Sequence, residues 1–207
     1  MNNLLNTVVG KLLIANIVLF LAEMSMGDTL IRWFALWPLG ILEPVAAYTA
    51  TPPFMPWQVV SYAFLHGGLL HIALNMYALW MFGTPLERTW GPRWFATYYF
   101  ACVIGAALSQ LVVSEILLMN GGSAYPVIGA SGGIFGLLLA FGLLFPRTQL
   151  LLLFPPIPIE ARWFVLGYGA IELFAGVTGS AEGVAHFAHL GGMLTGWLML
   201  RGRRRRW

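Results

Sequence analysis

Long apolar stretches separated by short polar ones dominate the pattern of this chain. A helix needs about 20 mostly apolar residues to cross the hydrocarbon core of a bilayer. Segments of that kind recur along the sequence, and Gly, Pro and charged residues separate them. The predicted spans lie near residues 8–26, 64–83, 93–118, 128–146, 161–179 and 184–201. The pattern therefore predicts an all-α, polytopic membrane protein: a six-transmembrane-helix bundle that forms a single domain over residues 1–207.

The connection between the first two spans, residues 27–63, is too long for a simple turn. It carries Trp33, Trp37 and Trp57 among prolines and few charges. Indole rings prefer the membrane interface. We therefore expect a long interfacial loop here, because a re-entrant span would have to pass several prolines.

Composition excludes an ordinary soluble protein. The chain is 59% hydrophobic and 9% charged, whereas soluble domains carry roughly a quarter charged residues. The single cysteine, Cys102, excludes an intrachain disulfide and is interpreted as a buried, inert thiol.

Charge predicts the orientation in the membrane. The net charge of +3 comes largely from a C-terminal arginine cluster beside an apolar helix, so it indicates a cytoplasmic membrane flank and no nucleic-acid partner. The basic residues at one set of helix ends are Lys11, Arg88, Arg93, Arg147, Arg162 and the C-terminal arginines. The opposite ends carry Arg32 with Asp28, Glu43, Glu115 and Glu182. This asymmetry predicts that both termini are cytoplasmic.

Polar residues within spans mark candidate chemistry, because they are costly in lipid. Ser131 begins the fourth span, His71 and Asn75 share one face of the second, and His189 lies in the sixth. The helical rise places His71 and His189 about 7 Å, and Ser131 about 4–6 Å, below the predicted starts of their helices. All three helices enter from the outer face. The spacing therefore predicts one shallow site near that face.

These residue types suit nucleophilic catalysis. A serine hydroxyl needs a base, most often histidine, and its tetrahedral intermediate needs hydrogen-bond donors. The Ser131 N–H, the Asn75 amide and a His71 N–H are candidate oxyanion donors. No Asp or Glu is obviously placed to orient the base, so we expect a dyad of Ser131 and His189. Small residues four apart on spans four and six would let the two helices approach closely.

Several polar residues allow a second interpretation. His66 either supports the site or bonds a loop carbonyl, and His186 is the rival base to His189. Glu172, in span five, is either a proton-relay residue or, as we favour, a satisfied polar group near the outer face. Glu87 and Arg88 are interpreted as a cytoplasmic turn pair. Gly129-x-Ser131-x-Gly133 also fits a nucleophile elbow, which requires a preceding strand that the apolar helical flanks do not offer.

The motifs together resemble the rhomboid family of intramembrane serine proteases. Trp57-Gln58 ahead of Phe64-Leu65-His66, followed by His71-x-x-x-Asn75, is similar to that family's second-helix signature. Gly129-Ala130-Ser131-Gly132 resembles its nucleophile motif, and Ala188-His189-x-x-Gly192-x-x-x-Gly196 its last-helix motif. Leu86-Glu87-Arg88 before Trp90-Gly91 matches the turn after the second helix. The resemblance covers about Trp57 to Leu200.

The resemblance implies a compact six-helix prokaryotic rhomboid, in the plasma (inner) membrane, without cofactor. Ser131 would be the nucleophile, His189 the base, and His71 and Asn75 oxyanion partners, with the site open to the outer face. Its partners would be the lipid bilayer and single-pass transmembrane substrates with a helix-weakening segment and a small residue at the cut.

Two other functions compete. The first is a non-cutting, rhomboid-like binding or quality-control factor, against which the intact Ser131 and His189 argue. The second is a metal site or transporter built from His66, His71, His186 and His189. Neither a carboxylate nor a cysteine lies at ligand spacing and the His-Glu-x-x-His motif is missing, so we expect no metal.

Overall fold

Helices make up most of the fold. The computed structural model describes residues 4–40, 52–123, 125–151, 156–179 and 185–204. Within those ranges the α-helices are α1 Val8–Phe34, α2 Gln58–Ser61, α3 Leu69–Trp90, α4 Pro92–Met119, α5 Ser131–Leu144, α6 Ala161–Thr178 and α7 His186–Arg204. Two short 3-10 helices cover Leu4–Asn6 and Tyr62–Phe64, and β1 Gln149–Leu151 pairs antiparallel with β2 Pro158–Glu160. The predicted all-α class is confirmed.

Each predicted span coincides with one of the longer helices. Among the described residues α1, α3 and α4 are long and apolar enough to cross a membrane by length and composition, and α5 is a shorter apolar helix of 14 residues. The number of crossings and the single domain over 1–207 stay predictions. Residues 41–51 and 180–184, with Glu43 and Glu182, lie outside the described residues, as do Arg205 and Arg206.

The predicted interfacial loop over 27–63 is wrong at both ends. Helix α1 continues to Phe34 past Met26, whose φ of −128° and ψ of 22° mark a kink. Beyond the loop, α2 and a 3-10 turn occupy residues 58–64. The end of α1 is fastened to this segment, since the Trp57 indole N–H donates to the Trp33 carbonyl at 2.9 Å and the Ser61 hydroxyl to the Phe34 carbonyl at 2.7 Å. These partners satisfy carbonyls that the last turn of a helix leaves open.

The predicted end of the second span near residue 83 is also wrong, because α3 continues through Pro85 to Trp90. Glu87, buried in this last part of α3, accepts the backbone N–H groups of Val8 and Val9 at 2.8 and 2.9 Å. Its carboxylate therefore caps the N-terminus of α1, where the helix dipole favours negative charge. The interpretation of Glu87 as a turn pair with Arg88 is corrected accordingly.

Helices α5 and α7 approach each other through glycine. A Cβ atom on Gly192 would overlap the carbonyl oxygen of Gly132, and one on Gly136 would lie 2.7 Å from the Cys102 Cβ and 3.1 Å from the Gly192 carbonyl oxygen. Contacts this close leave no room for a side chain. The small residues thus allow the backbones of the two helices to touch, and this contact determines where Ser131 and His189 lie.

Candidate active site

Ser131 is the first residue of α5, and the chain reaches it through a fixed turn. The Gly129 N–H donates to the Tyr62 carbonyl at 2.9 Å, and Val127 exchanges backbone hydrogen bonds with Leu36. Gly129 has a φ of 127°, a backbone conformation that residues with a Cβ atom rarely adopt. The hydroxyl therefore projects from a helix N-terminus that is held from two sides.

His189, in the first turn of α7, contacts the serine directly. Its Nε2 lies 2.7 Å from the Ser131 Oγ, and its Nδ1 lies 2.8 Å from a carboxylate oxygen of Glu172. An ionised carboxylate only accepts hydrogen bonds, so Nδ1 carries the proton. In the neutral ring Nε2 is then unprotonated and accepts the serine hydroxyl, which is the arrangement that a general base requires.

Glu172 overturns the expectation that no carboxylate is placed to orient the base. The same oxygen that meets His189 lies 2.7 Å from Nδ1 of His186, and all three side chains are buried. Glu172 is on α6, whereas both histidines are on α7. A contact between two helices depends on their packing, which the spacing of residues along one helix does not reveal. His186 thus approaches Glu172 through its Nδ1, whereas His189 is the histidine in contact with Ser131.

Aromatic rings also hold the imidazole of His189. Phe135, one turn after Ser131 on α5, stacks on it with ring centroids 4.1 Å apart and planes 6° from parallel. Tyr168 of α6 stacks in turn on Phe135 at 5.2 Å. Stacking limits rotation of the imidazole about its side-chain bonds. These two aromatics were not identified from the sequence, where they are indistinguishable from ordinary packing residues.

His71 lies next to the turn that leads to Ser131. The backbone N–H of Gly67 donates to its Nδ1 at 3.2 Å, so the neutral ring carries its proton on Nε2. That Nε2 is directed at Gly129, where a Cβ atom would be only 2.9 Å away from it and 3.6 Å from the Ser131 Oγ. The Asn75 amide donates to the His71 carbonyl at 2.9 Å. The structure thus brings His71 to the serine and ties Asn75 to the backbone of its own helix.

His66 is buried beside His71, with ring centroids 5.1 Å apart. Among the described residues, none forms a hydrogen bond with either of its ring nitrogens. Burial, and secondarily the neighbouring His71, lowers the pKa of His66 to about 4, so the ring is neutral near pH 7. Its backbone N–H donates to the Glu23 carboxylate at 3.0 Å, which fastens this loop to α1.

The site lies closer to the helix ends than the rise calculation predicts. Helix α3 begins at Leu69 and α5 at Ser131 itself, so the second and fourth helices start later than expected. Gly68, with a φ of 157°, and Gly129 interrupt the helical conformation before them. His71 and Ser131 occupy first helical turns, where backbone N–H groups lack helical partners. His189 lies at the end of the first turn of α7, and its N–H donates to the Ala185 carbonyl at 3.3 Å.

Glu172, His186 and His189 also form a group whose potential ligand atoms lie within 4.8 Å of one another. A tetrahedral zinc ion, with bonds of about 2.0–2.1 Å, would hold its ligand atoms about 3.3 Å apart. The two histidine nitrogens instead lie 2.7 and 2.8 Å from one carboxylate oxygen. That spacing is typical of charge-assisted hydrogen bonds. We therefore describe the group as a hydrogen-bonded cluster.

Comparison with known proteins identifies the family. Residues 53–206 match the profile of the rhomboid domain. The chain belongs to the rhomboid family. It is therefore a polytopic helical membrane protein, as the sequence predicts, and the resemblance of its motifs to rhomboids is confirmed.

Named relatives of this rhomboid come from several organisms. Rhomboid protein 1, mitochondrial, of Saccharomyces cerevisiae is 33% identical over 148 residues, covering 68% of this chain and 40% of that protein. Rhomboid protease GluP of Bacillus subtilis is 38% identical over 82 residues, or 40% of this chain and 14% of that protein. Presenilin-associated rhomboid-like protein, mitochondrial, of Rattus norvegicus is 28% identical over 184 residues, 88% of this chain and 45% of that protein. The chain thus spans less than half the length of these relatives.

Proposed function

We propose that this rhomboid is an intramembrane serine endopeptidase that cleaves transmembrane segments of single-pass membrane proteins. Ser131 is the nucleophile and His189 the general base. The observation that carries the proposal is the 2.7 Å contact between the Ser131 hydroxyl and the unprotonated Nε2 of His189. A base must lie within about 2.6–3.2 Å of the heavy atom whose proton it removes.

The chemistry follows from that contact. His189 takes the hydroxyl proton as the Ser131 Oγ attacks the scissile carbonyl, and the carbonyl oxygen becomes an oxyanion. His189 then returns the proton to the leaving amine, and the C–N bond breaks to give an acyl-enzyme. A water molecule, deprotonated by the same imidazole, releases the product and regenerates the serine.

The oxyanion is stabilised by the first amide of α5 and by the Nε2–H of His71, with Asn75 as a supporting donor. Support comes from the hydrogen bond that fixes the His71 proton on Nε2 and from the position of that nitrogen beside Gly129. An amide at a helix N-terminus also offers the positive end of the helix dipole. Removing one donor of an oxyanion hole costs about 3–4 kcal/mol in a serine protease.

Substrate and location follow the family. We expect substrates with a helix-weakening segment and a small residue at the cut, and a site reached from the outer face of a prokaryotic plasma membrane, with both termini cytoplasmic. Two of the relatives are named mitochondrial, so an organellar membrane is the other location to test. We propose no metal, cofactor or nucleic acid as a partner.

The proposal is tested by cleavage of a fluorogenic single-pass substrate in liposomes. Wild-type protein is compared with Ser131→Ala, each with and without a chelator. We expect wild-type cleavage, a loss of about 1,000-fold or more in Ser131→Ala, and no effect of the chelator. Equal cleavage by both proteins would contradict the proposal. Binding of the substrate without cleavage by either protein would favour the non-cutting function.

A further inference from the structure

The cluster of Glu172, His186 and His189 gives the candidate site a component beyond a serine and a histidine. One carboxylate oxygen of Glu172 lies 2.7 Å from Nδ1 of His186 and 2.8 Å from Nδ1 of His189. Only one of those histidines continues to the serine. The result is an uninterrupted line of contacts from Glu172 on α6, through His189 on α7, to Ser131 on α5.

We propose that Glu172 is a positioning residue that acts through His189 and extends the Ser–His pair into a Ser–His–Glu triad. The inference rests on the proposed protease function and deepens it. The carboxylate holds the proton of His189 on Nδ1, which keeps Nε2 free to receive the serine proton. It also stabilises the imidazolium that forms when that proton arrives. The proton itself stays on the imidazole and returns to the leaving amine.

Burial strengthens this effect. Glu172 is 5% exposed and His189 is 8% exposed, so little water screens the charge between them. A hydrogen bond to an ionised group is about twice as strong as one between neutral groups. The stacked ring of Phe135 fixes the plane of the imidazole. Glu172 fixes its tautomer, so the two contacts act on different properties of the base.

His186 provides the matched control. It contacts the same oxygen of Glu172 from the same helix as His189, but its contact does not lead to the serine. If Glu172 merely fastens α6 to α7, disturbing either histidine contact should have a similar result. If Glu172 serves the base, only its own replacement should change the protonation behaviour of the site.

Several titratable groups face His189 and bear on that behaviour. Glu172 faces it from α6, His186 from α7, and His71 from α3. Tyr168 of α6 interacts with Glu172 and stacks on Phe135. His66 lies one ring further, against His71. A variant at Glu172 leaves the other four in place. A change in the pH profile can then be assigned to the loss of the carboxylate charge.

The experiment measures kcat and KM for the fluorogenic substrate from pH 5 to 9 in wild type, Glu172→Gln and His186→Phe. Glu172→Gln should lose about 10- to 100-fold in kcat, with KM within about twofold. Without the carboxylate the imidazolium forms less readily, so the acid limb of kcat/KM should move down by about one pH unit. In His186→Phe that limb should not move down.

Several results of these kinetic measurements would overturn the inference. A wild-type acid limb in Glu172→Gln, or an equal displacement in both variants, would reduce Glu172 to a structural contact. If Glu172→Gln does not fold, Glu172→Asp retracts the charge by one methylene, and its acid limb should move in the same direction by less. An unmoved limb there would also overturn the inference. Absence of wild-type cleavage would instead overturn the protease function and this inference together.

Discussion

His66 is a buried, neutral histidine, and its protonation destabilises the folded protein. Both ring nitrogens lack a hydrogen bond among the described residues, and the pKa of His66 is lowered to about 4 by burial and by His71. A histidine in an unfolded chain has a pKa of about 6.5. Between these two values the unfolded chain binds more protons than the folded one, so stability falls as the pH falls.

Replacing His66 with Phe should therefore make the protein less sensitive to acid. The loss expected from His66 between about pH 6.5 and 4 is at most about 3 kcal/mol, because each pKa unit corresponds to about 1.4 kcal/mol. We expect the decrease in Tm from pH 7 to pH 4 to be smaller in His66→Phe than in wild type, as measured by thermal unfolding in detergent. Equal decreases in the two proteins would show that His66 is not the group responsible.

Most residues of the candidate site can be identified from the sequence. Ser131, His71 and His189 can be recognised because polar residues are costly in apolar spans, and the structure brings the three side chains together. Glu172 can be recognised for the same reason, but its contact with His189 cannot. That contact joins two helices, and no local spacing along the sequence reveals how those helices pack. Phe135 gives no signal at all, because it is one of 14 phenylalanines in the chain, many of which pack in or against the hydrophobic core.

The contact between helices α5 and α7 sets the distance between the nucleophile, Ser131, and the base, His189. A methyl group on Gly192 would overlap the Gly132 carbonyl oxygen, so the helices must separate to accept it. Gly167, on α6, offers a control because a Cβ atom there meets nothing within 4 Å.

We expect Gly192→Ala to lower stability by about 1–3 kcal/mol, the usual cost of overpacking. Activity should fall by at least about tenfold, because the Ser131 to His189 contact lengthens. Gly167→Ala should leave both unchanged or raise stability slightly, since alanine is the better helix former. Thermal unfolding and substrate cleavage measure the two effects. Wild-type activity in Gly192→Ala would contradict the assigned role of this contact.

Helix boundaries are the elements that the sequence predicts least well. The starts of α3 and α5 follow Gly68 and Gly129, both with positive φ, and Gly129 is held by a hydrogen bond to the distant Tyr62. The continuation of α3 past Pro85 brings Glu87 to the N-terminus of α1, where its carboxylate accepts the N–H groups of Val8 and Val9. Capping by a residue 78 or 79 positions away is a tertiary contact, and no local signal announces it.

The whole molecule joins an apolar helical bundle to a small polar centre formed by residues of four helices. Hydrophobic patterning predicts the bundle, because membrane spans require long apolar segments. The charge asymmetry predicts the orientation, which stays a prediction. The polar centre spans α3, α5, α6 and α7, and the contacts within it depend on the packing of those four helices together.

Covalent labelling of Ser131 by a fluorophosphonate tests the roles of the serine and its base, with the modified peptide identified by mass spectrometry. We expect an adduct on Ser131 in wild type and in His186→Ala, and none in His189→Ala. Labelling should also fall at acid pH, because a protonated imidazole cannot accept the serine proton. Labelling that persists in His189→Ala and disappears in His186→Ala would assign the base to His186 and contradict the proposed pairing of Ser131 with His189.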